Sequence, residues 1–240
     1  MMLSPEQLSV LLPVIILVLI SSLARTVHFE LFERHFKLTF ADAPLWSFLY
    51  FSVCAAFVAF LFPHEIGELF AGMTPVGYLA LIFVMIIIFP ALYRGTRGLS
   101  GTPQWLATLY PGQGMLTLEE RYILAKIADV VFQQLVAGSI ILILSAGGVS
   151  YPAIVGVFII LFAAAHLYIF RTSGAFWGLY YTMYAALGGF AFPFLILFIV
   201  GGIGYAIVLH MLFYVLSGIF FATLPRPSPA ICREFSGVAP

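Results

Sequence analysis

The chain has 240 residues, of which 63% are apolar and 8% charged, against roughly 45–50% and about 25% in an average soluble domain. Its mean hydropathy is +1.11, and 25 of its residues are Phe. This composition excludes a soluble globular enzyme and a disordered chain, and ten basic residues balanced by ten acidic ones exclude the basic face of a nucleic-acid binder.

A bilayer core of about 30 Å takes roughly 20 apolar residues in helical form. Long apolar runs predict about seven such spans, at 8–24, 45–62, 76–93, 129–147, 152–170, 175–199 and 204–223. Runs of this length fit helices and not barrel strands, so the expected fold class is all-α, a polytopic membrane protein. The first run resembles a signal peptide, with Ser22-Leu23-Ala24 as a small-x-small site. No basic residue precedes it, whereas Arg25, Arg34 and Lys37 follow; that asymmetry predicts an uncleaved span instead. The sixth run contains Gly188, Gly189 and Pro193, which leaves one kinked helix and two shorter pieces equally open.

With seven spans, every basic residue falls on one side. Arg25, Arg34 and Lys37 follow the first span; Arg94, Arg97, Arg121 and Lys126 precede the fourth; Arg171 follows the fifth, and Arg226 and Arg233 follow the seventh. The positive-inside rule then places the N-terminus outside and the C-terminus in the cytoplasm. The expected location is the plasma or inner membrane of a prokaryote. In 25–43, Phe29, Phe32, Phe36 and Phe40 recur every three or four residues between charges, which predicts an interfacial amphipathic helix. A loop rich in Gly and Pro spans 94–117, and Thr117-Leu118-Glu119-Glu120 reads as a capping box that opens the helix of the fourth span. The chain thus divides into N-terminal membrane helices at 1–117 and a helical core with a short tail at 118–240.

Ionisable and amide side chains inside spans are costly and point to function. Gln133 and Gln134 lie in the fourth span, His166 in the fifth and His210 in the seventh. Each taken alone has a structural explanation too, because such groups often bond neighbouring membrane helices. Their order and intervals carry more. Gln133-Gln134, then Phe162-Ala163-Ala164-Ala165-His166, then His210-Met211-Leu212-Phe213-Tyr214 resembles the three-motif layout of the CPBP family. These are the CAAX-prenyl-protease-like or abortive-infection-like intramembrane proteases, which carry Glu-Glu-x-x-x-Arg, Phe-x-x-x-His and His-x-x-x-Asn on successive membrane helices.

The second motif is intact at Phe162 and His166. In the third, His210 is kept and Tyr214 stands where Asn is usual. In the first, Gln133-Gln134 replaces the glutamate pair and Gly138 stands for the arginine. The resemblance covers roughly 118–223, about half the chain. It implies an intramembrane endopeptidase site in which a glutamate activates water, and histidine and asparagine stabilise the oxyanion. A Gln amide cannot accept a proton as a carboxylate does, so the expectation is a family homologue without glutamate chemistry. Its catalytic-position residues are His166 and His210, and Gln133, Gln134, Phe162, Tyr214 and Asp129 form the binding set. Asp129, one turn before Gln133, is placed to pair with Lys126 or to orient a Gln amide. Glu119 and Glu120 lie ahead of Lys126 and read as helix capping and first-turn charge.

No cofactor or metal is called for. The expected partners are the bilayer and a lipid-modified peptide or membrane protein. Two alternatives stand beside this: a haem protein with His166 and His210 as axial ligands, and a transporter using the Gly188-Gly189-Pro193 break. Both the family and the haem expectation require the two histidines to meet. Yet His166 lies about four residues, roughly 6 Å, from the cytoplasmic end of its span, and His210 about thirteen, roughly 20 Å. His64-Glu65-Ile66-Gly67-Glu68 resembles a zincin helix motif but ends in Glu, which predicts a solvated outer loop. His28 and His35, seven apart, predict a charged interface, and Cys54 and Cys232 free thiols.

Overall fold

A computed structural model describes residues 5–38, 40, 43–96, 120–167, 169–170 and 174–223. The capping box at Thr117–Glu119, the Gly/Pro loop beyond Thr96, Cys232, and the basic residues Arg97, Arg171, Arg226 and Arg233 lie outside the described residues. Every element among those described is helical. In order they are α1 (Pro5–Thr26), which runs on as a π-helical segment (Val27–His35), α2 (Pro44–Leu61) and α3 (Pro63–Ala71). Next come α4 (Pro75–Phe83), a π-helical turn (Val84–Ile88) and α5 (Phe89–Thr96). The remainder is α6 (Glu120–Ala146), α7 (Tyr151–His166), α8 (Ala175–Phe198) and α9 (Gly202–Thr223). Proline opens α2, α3 and α4 at Pro44, Pro63 and Pro75, where its missing N–H costs nothing and its φ suits a helix. Thr74 caps α4, its hydroxyl accepting from the Gly77 N–H at 3.1 Å.

Six helices are long and apolar enough to cross a membrane: Leu8–His35, Pro44–Leu61, Pro75–Leu92, Tyr122–Ala146, Ala175–Phe198 and Gly202–Phe220. This is the architecture of a multi-pass membrane protein. Between the fourth and fifth lies α7, apolar but only 16 residues long, or about 24 Å at 1.5 Å per residue.

The helices are not equivalent. Of the apolar window of α6, 83% is buried inside the protein, while the other five range from 11% to 56%. α6 is therefore the axis of the bundle, touching α1, α2, α3, α5, α7, α8 and α9. On one side Phe132, Ile140 and Ile141 of α6 pack with Phe51 and Val58 of α2 and Phe158 of α7. On the other, Ile123 and Val130 belong with Trp177 and Tyr181 of α8 and with Ile207, Met211 and Val215 of α9. α7 lies close along α8 at Gly189, where a Cβ would come within 2.8 Å of the Ile159 backbone; small residues permit such contact between membrane helices. The turn from α8 to α9 needs Gly201, at φ +69°.

Four expectations are corrected. The interfacial helix at 25–43 is not a separate element, because α1 continues unbroken through Arg25 to His35. No Gly or Pro occurs between Pro13 and Pro44, so the backbone has no reason to stop at the charge. His28 and His35 do not form one charged interface: His28 is buried and His35 exposed, since the looser π-helical winding changes which residues align. His64 lies not in a loop but in α3, exposed and 3.7 Å from Glu68 one turn on; Pro63 and first-turn Glu65 suit a helix start. Of the two readings left open for the sixth run, α8 is one helix that carries Pro193 inside it. α7, for its part, ends at His166, short of the expected limit at 170.

Candidate functional site

Lys126, Asp129 and Gln133 recur along α6 at i, i+3 and i+7, so they share a face. All three are buried. The Lys126 ammonium donates to Asp129 Oδ2, and Gln133 Nε2 donates to Asp129 Oδ1 at 2.7 Å. From α1, Arg25 Nη2 approaches the same Oδ1 to 3.8 Å. Lys126 Nζ also lies 4.9 Å from the Phe40 ring centroid and 4.5 Å from that of Tyr214, a cation between two aromatic faces. Both Asp129 oxygens are thus engaged. Such a buried pair contributes little net stability, but breaking it strands a charge.

Gln134 is the next residue, about 100° further round the helix, and it faces a different neighbour. Its Nε2 donates to His210 Nδ1 of α9 at 2.8 Å. The Gln134 Oε1 is buried with no hydrogen-bond partner among the described residues. His210 lies against Tyr214, ring centroids 5.6 Å apart, and against Phe192 of α8 at 5.7 Å. At the end of α7, His166 Nδ1 bonds the Phe162 carbonyl oxygen at 2.7 Å.

A cavity of about 480 Å³ opens between α7, α8 and α9, and Phe162, His166, His210 and Tyr214 all border it. Small-molecule sites span roughly 300–1,000 Å³. Its other walls are aromatic and aliphatic, including Tyr180, Tyr181, Tyr184 and Phe213. It extends along α8 from Tyr180 to Phe192, roughly 18 Å. A second, smaller cavity of about 100 Å³ lies between α1, α6 and α7, bordered by Ser21, Ser22, Arg25, Gln133, Phe162 and His166. His166 and Phe162 therefore stand between the two.

The residues singled out in the sequence fall into two adjoining groups. Asp129 and Gln133 belong with Lys126 and Arg25. Gln134 holds His210, which shares the large cavity with His166, Phe162 and Tyr214. Sequence reasoning missed Arg25, read as the end of a span, and the aromatic wall. Tyr180, Tyr184 and Gly188 do recur every four residues, a helical stripe, but in a chain this rich in aromatics it does not stand out. Tyr180 Oη and Ser217 Oγ, 2.7 Å apart, close the far end of the wall by a hydrogen bond between α8 and α9.

A third polar group stands apart. His28 Nε2 is 3.0 Å from Ser47 Oγ, and Nδ1 is 3.3 Å from Glu33 Oε1. The order resembles a nucleophile–base–carboxylate relay. Ser47, however, is 0% exposed, so the hydroxyl anchors the π-helical segment to α2 and meets no substrate. Among the described residues, no three His, Cys, Asp or Glu side chains gather as metal ligands would. No family model, curated protein or solved structure matches this chain.

Proposed function

We propose that the chain is a seven-span membrane protein of CPBP-like build whose cavity binds a lipid-modified peptide or membrane partner and does not hydrolyse it by glutamate chemistry. The observation that carries this is the joining of three helices at one site. His166 of α7 and His210 of α9 border one cavity, and Gln134 of α6 holds the His210 ring. Those are the positions at which the three motifs are read.

The topology belongs to the same proposal. Arg25 near the end of α1 lies beside Asp129 near the start of α6, as expected when those ends share the cytoplasmic side and α2–α5 make an even number of crossings between them. The N-terminus is then outside, the C-terminus cytoplasmic and α7 one further crossing, fifth in chain order, that brings the total to seven, its short length met by local thinning of the bilayer. The basic residues fit a cytoplasmic face in a prokaryotic plasma or inner membrane.

The first motif has a second register. Five residues earlier, Ala128-Asp129 takes the place of the glutamate pair and Gln133 that of the arginine. One carboxylate is kept in this register. Lys126, Arg25 and Gln133 occupy both of its oxygens, so it serves as an ion-pair partner and not as a base for water. Binding without hydrolysis follows in either register.

The test is a fluorescent lipid-modified peptide titrated against the purified protein in nanodiscs, with the recovered peptide checked for cleavage. Saturable binding of intact peptide is expected, lost on filling the cavity with Ala191→Phe. Cleavage overturns the non-hydrolytic reading, and absence of saturable binding overturns the cavity as a ligand site.

A further inference from the structure

We infer that the lipid modification taken by this cavity is an N-acyl chain, recognised by its secondary amide. This rests on the proposal that the cavity is a ligand site. It follows from what the two histidines have already spent. His166 Nδ1 faces the Phe162 carbonyl oxygen, which only accepts, so that nitrogen carries the proton; the neutral ring keeps Nε2 as an acceptor. His210 Nδ1 faces the Gln134 amide nitrogen, which only donates, so that nitrogen accepts and Nε2 carries the proton. Both rings border one cavity, and with these tautomers the His166 ring keeps an acceptor and the His210 ring a donor.

A secondary amide matches both, its N–H toward His166 and its carbonyl toward His210. An ester supplies only the carbonyl and leaves the His166 acceptor without a partner. A free carboxylate has no donor either, and its charge would be buried among aromatic walls at high cost. The rest of the cavity suits an alkyl chain: it runs roughly 18 Å along α8 and is bordered by Tyr180, Tyr181, Tyr184 and Phe213. Leu187, Leu209, Leu216 and Phe220 border it as well and are exposed on the outer surface of the helices. The chain therefore enters sideways from the bilayer.

The decisive comparison uses two peptides differing in one group: an N-acylglycyl peptide and its depsipeptide twin, with an ester oxygen in place of the amide N–H. Both are titrated against the full-length protein in nanodiscs. One matched hydrogen bond predicts about tenfold tighter binding of the amide, and His166→Phe is expected to reduce that ratio to about one. Equal affinity of the twins for the wild-type protein overturns the amide inference and leaves the cavity a lipid site. Retention of the full ratio in His166→Phe likewise overturns the assigned acceptor. Failure of both peptides to bind overturns the cavity reading itself.

Discussion

The two halves of α6 share one helix and one degree of burial, yet they are made of different chemistry. From Lys126 to Gln134 the buried set includes a lysine, an aspartate and two glutamines; from Val136 to Leu144 it is apolar apart from Ser139. In a membrane, packing and not the hydrophobic effect holds helices together, and the apolar half supplies it through Ile140, Ile141 and Leu144. The polar half must satisfy every group it buries before it gains anything. A helix that needed only to be an axis would continue Ile and Leu to its start. On the proposed function, the second half serves as scaffold and the first half supports the site through the bond from Gln134 to His210.

Substitutions break this comparison in graded steps. The largest effect is expected from Asp129→Ala, which leaves Lys126 and Arg25 facing each other without a carboxylate. Loss of about 3–5 kcal/mol should appear as a lowered midpoint in detergent unfolding, and the double variant Lys126→Met/Asp129→Leu should recover most of it. In the apolar half, Ile141→Ala opens a hole at a fully buried position and should cost about 2–5 kcal/mol by the same measurement. Gly189→Ala forces a methyl onto the Ile159 backbone and should cost about 1–3 kcal/mol, read as loosening of α7 from α8 in hydrogen exchange. Gln134→Leu should cost least, about 0.6 kcal/mol, the usual size of one interhelical hydrogen bond. It should nonetheless weaken ligand binding more than any of the apolar substitutions does.

The helices themselves were legible, because runs of about 20 apolar residues have few other solutions. Their ends were less so. Arg25 reads as the close of a span, but it is a charge on a helix that carries on, paid for by Asp129 from a distant part of the chain; local sequence cannot show such a partner. The polar candidates stood out because Gln and His are rare in apolar runs. The pairing of Asp129 with Lys126 and with a Gln amide was legible from their spacing along one helix, but the partner of Gln134 was not. Gln133 and Gln134 are adjacent, yet one bonds Asp129 within its own helix and the other His210 in α9. That follows from how α6 is rotated in the bundle. The aromatic wall was hidden for the opposite reason: with 25 Phe and 12 Tyr in the chain, a functional stripe resembles the background.

The central claim is that the first half of α6 serves a ligand and the second serves the fold. It is tested most directly by ligand-induced stabilisation. An N-acylglycyl peptide at 100 times its Kd should add about 2.7 kcal/mol to the unfolding free energy of the wild-type protein. The same increment is expected in Ile141→Val, whose baseline alone is lowered, and about half of it, about 1.4 kcal/mol, in Gln134→Leu at the same peptide concentration, because a tenfold loss of affinity leaves the peptide at about ten times its Kd. An equal increment in both variants would contradict the assignment.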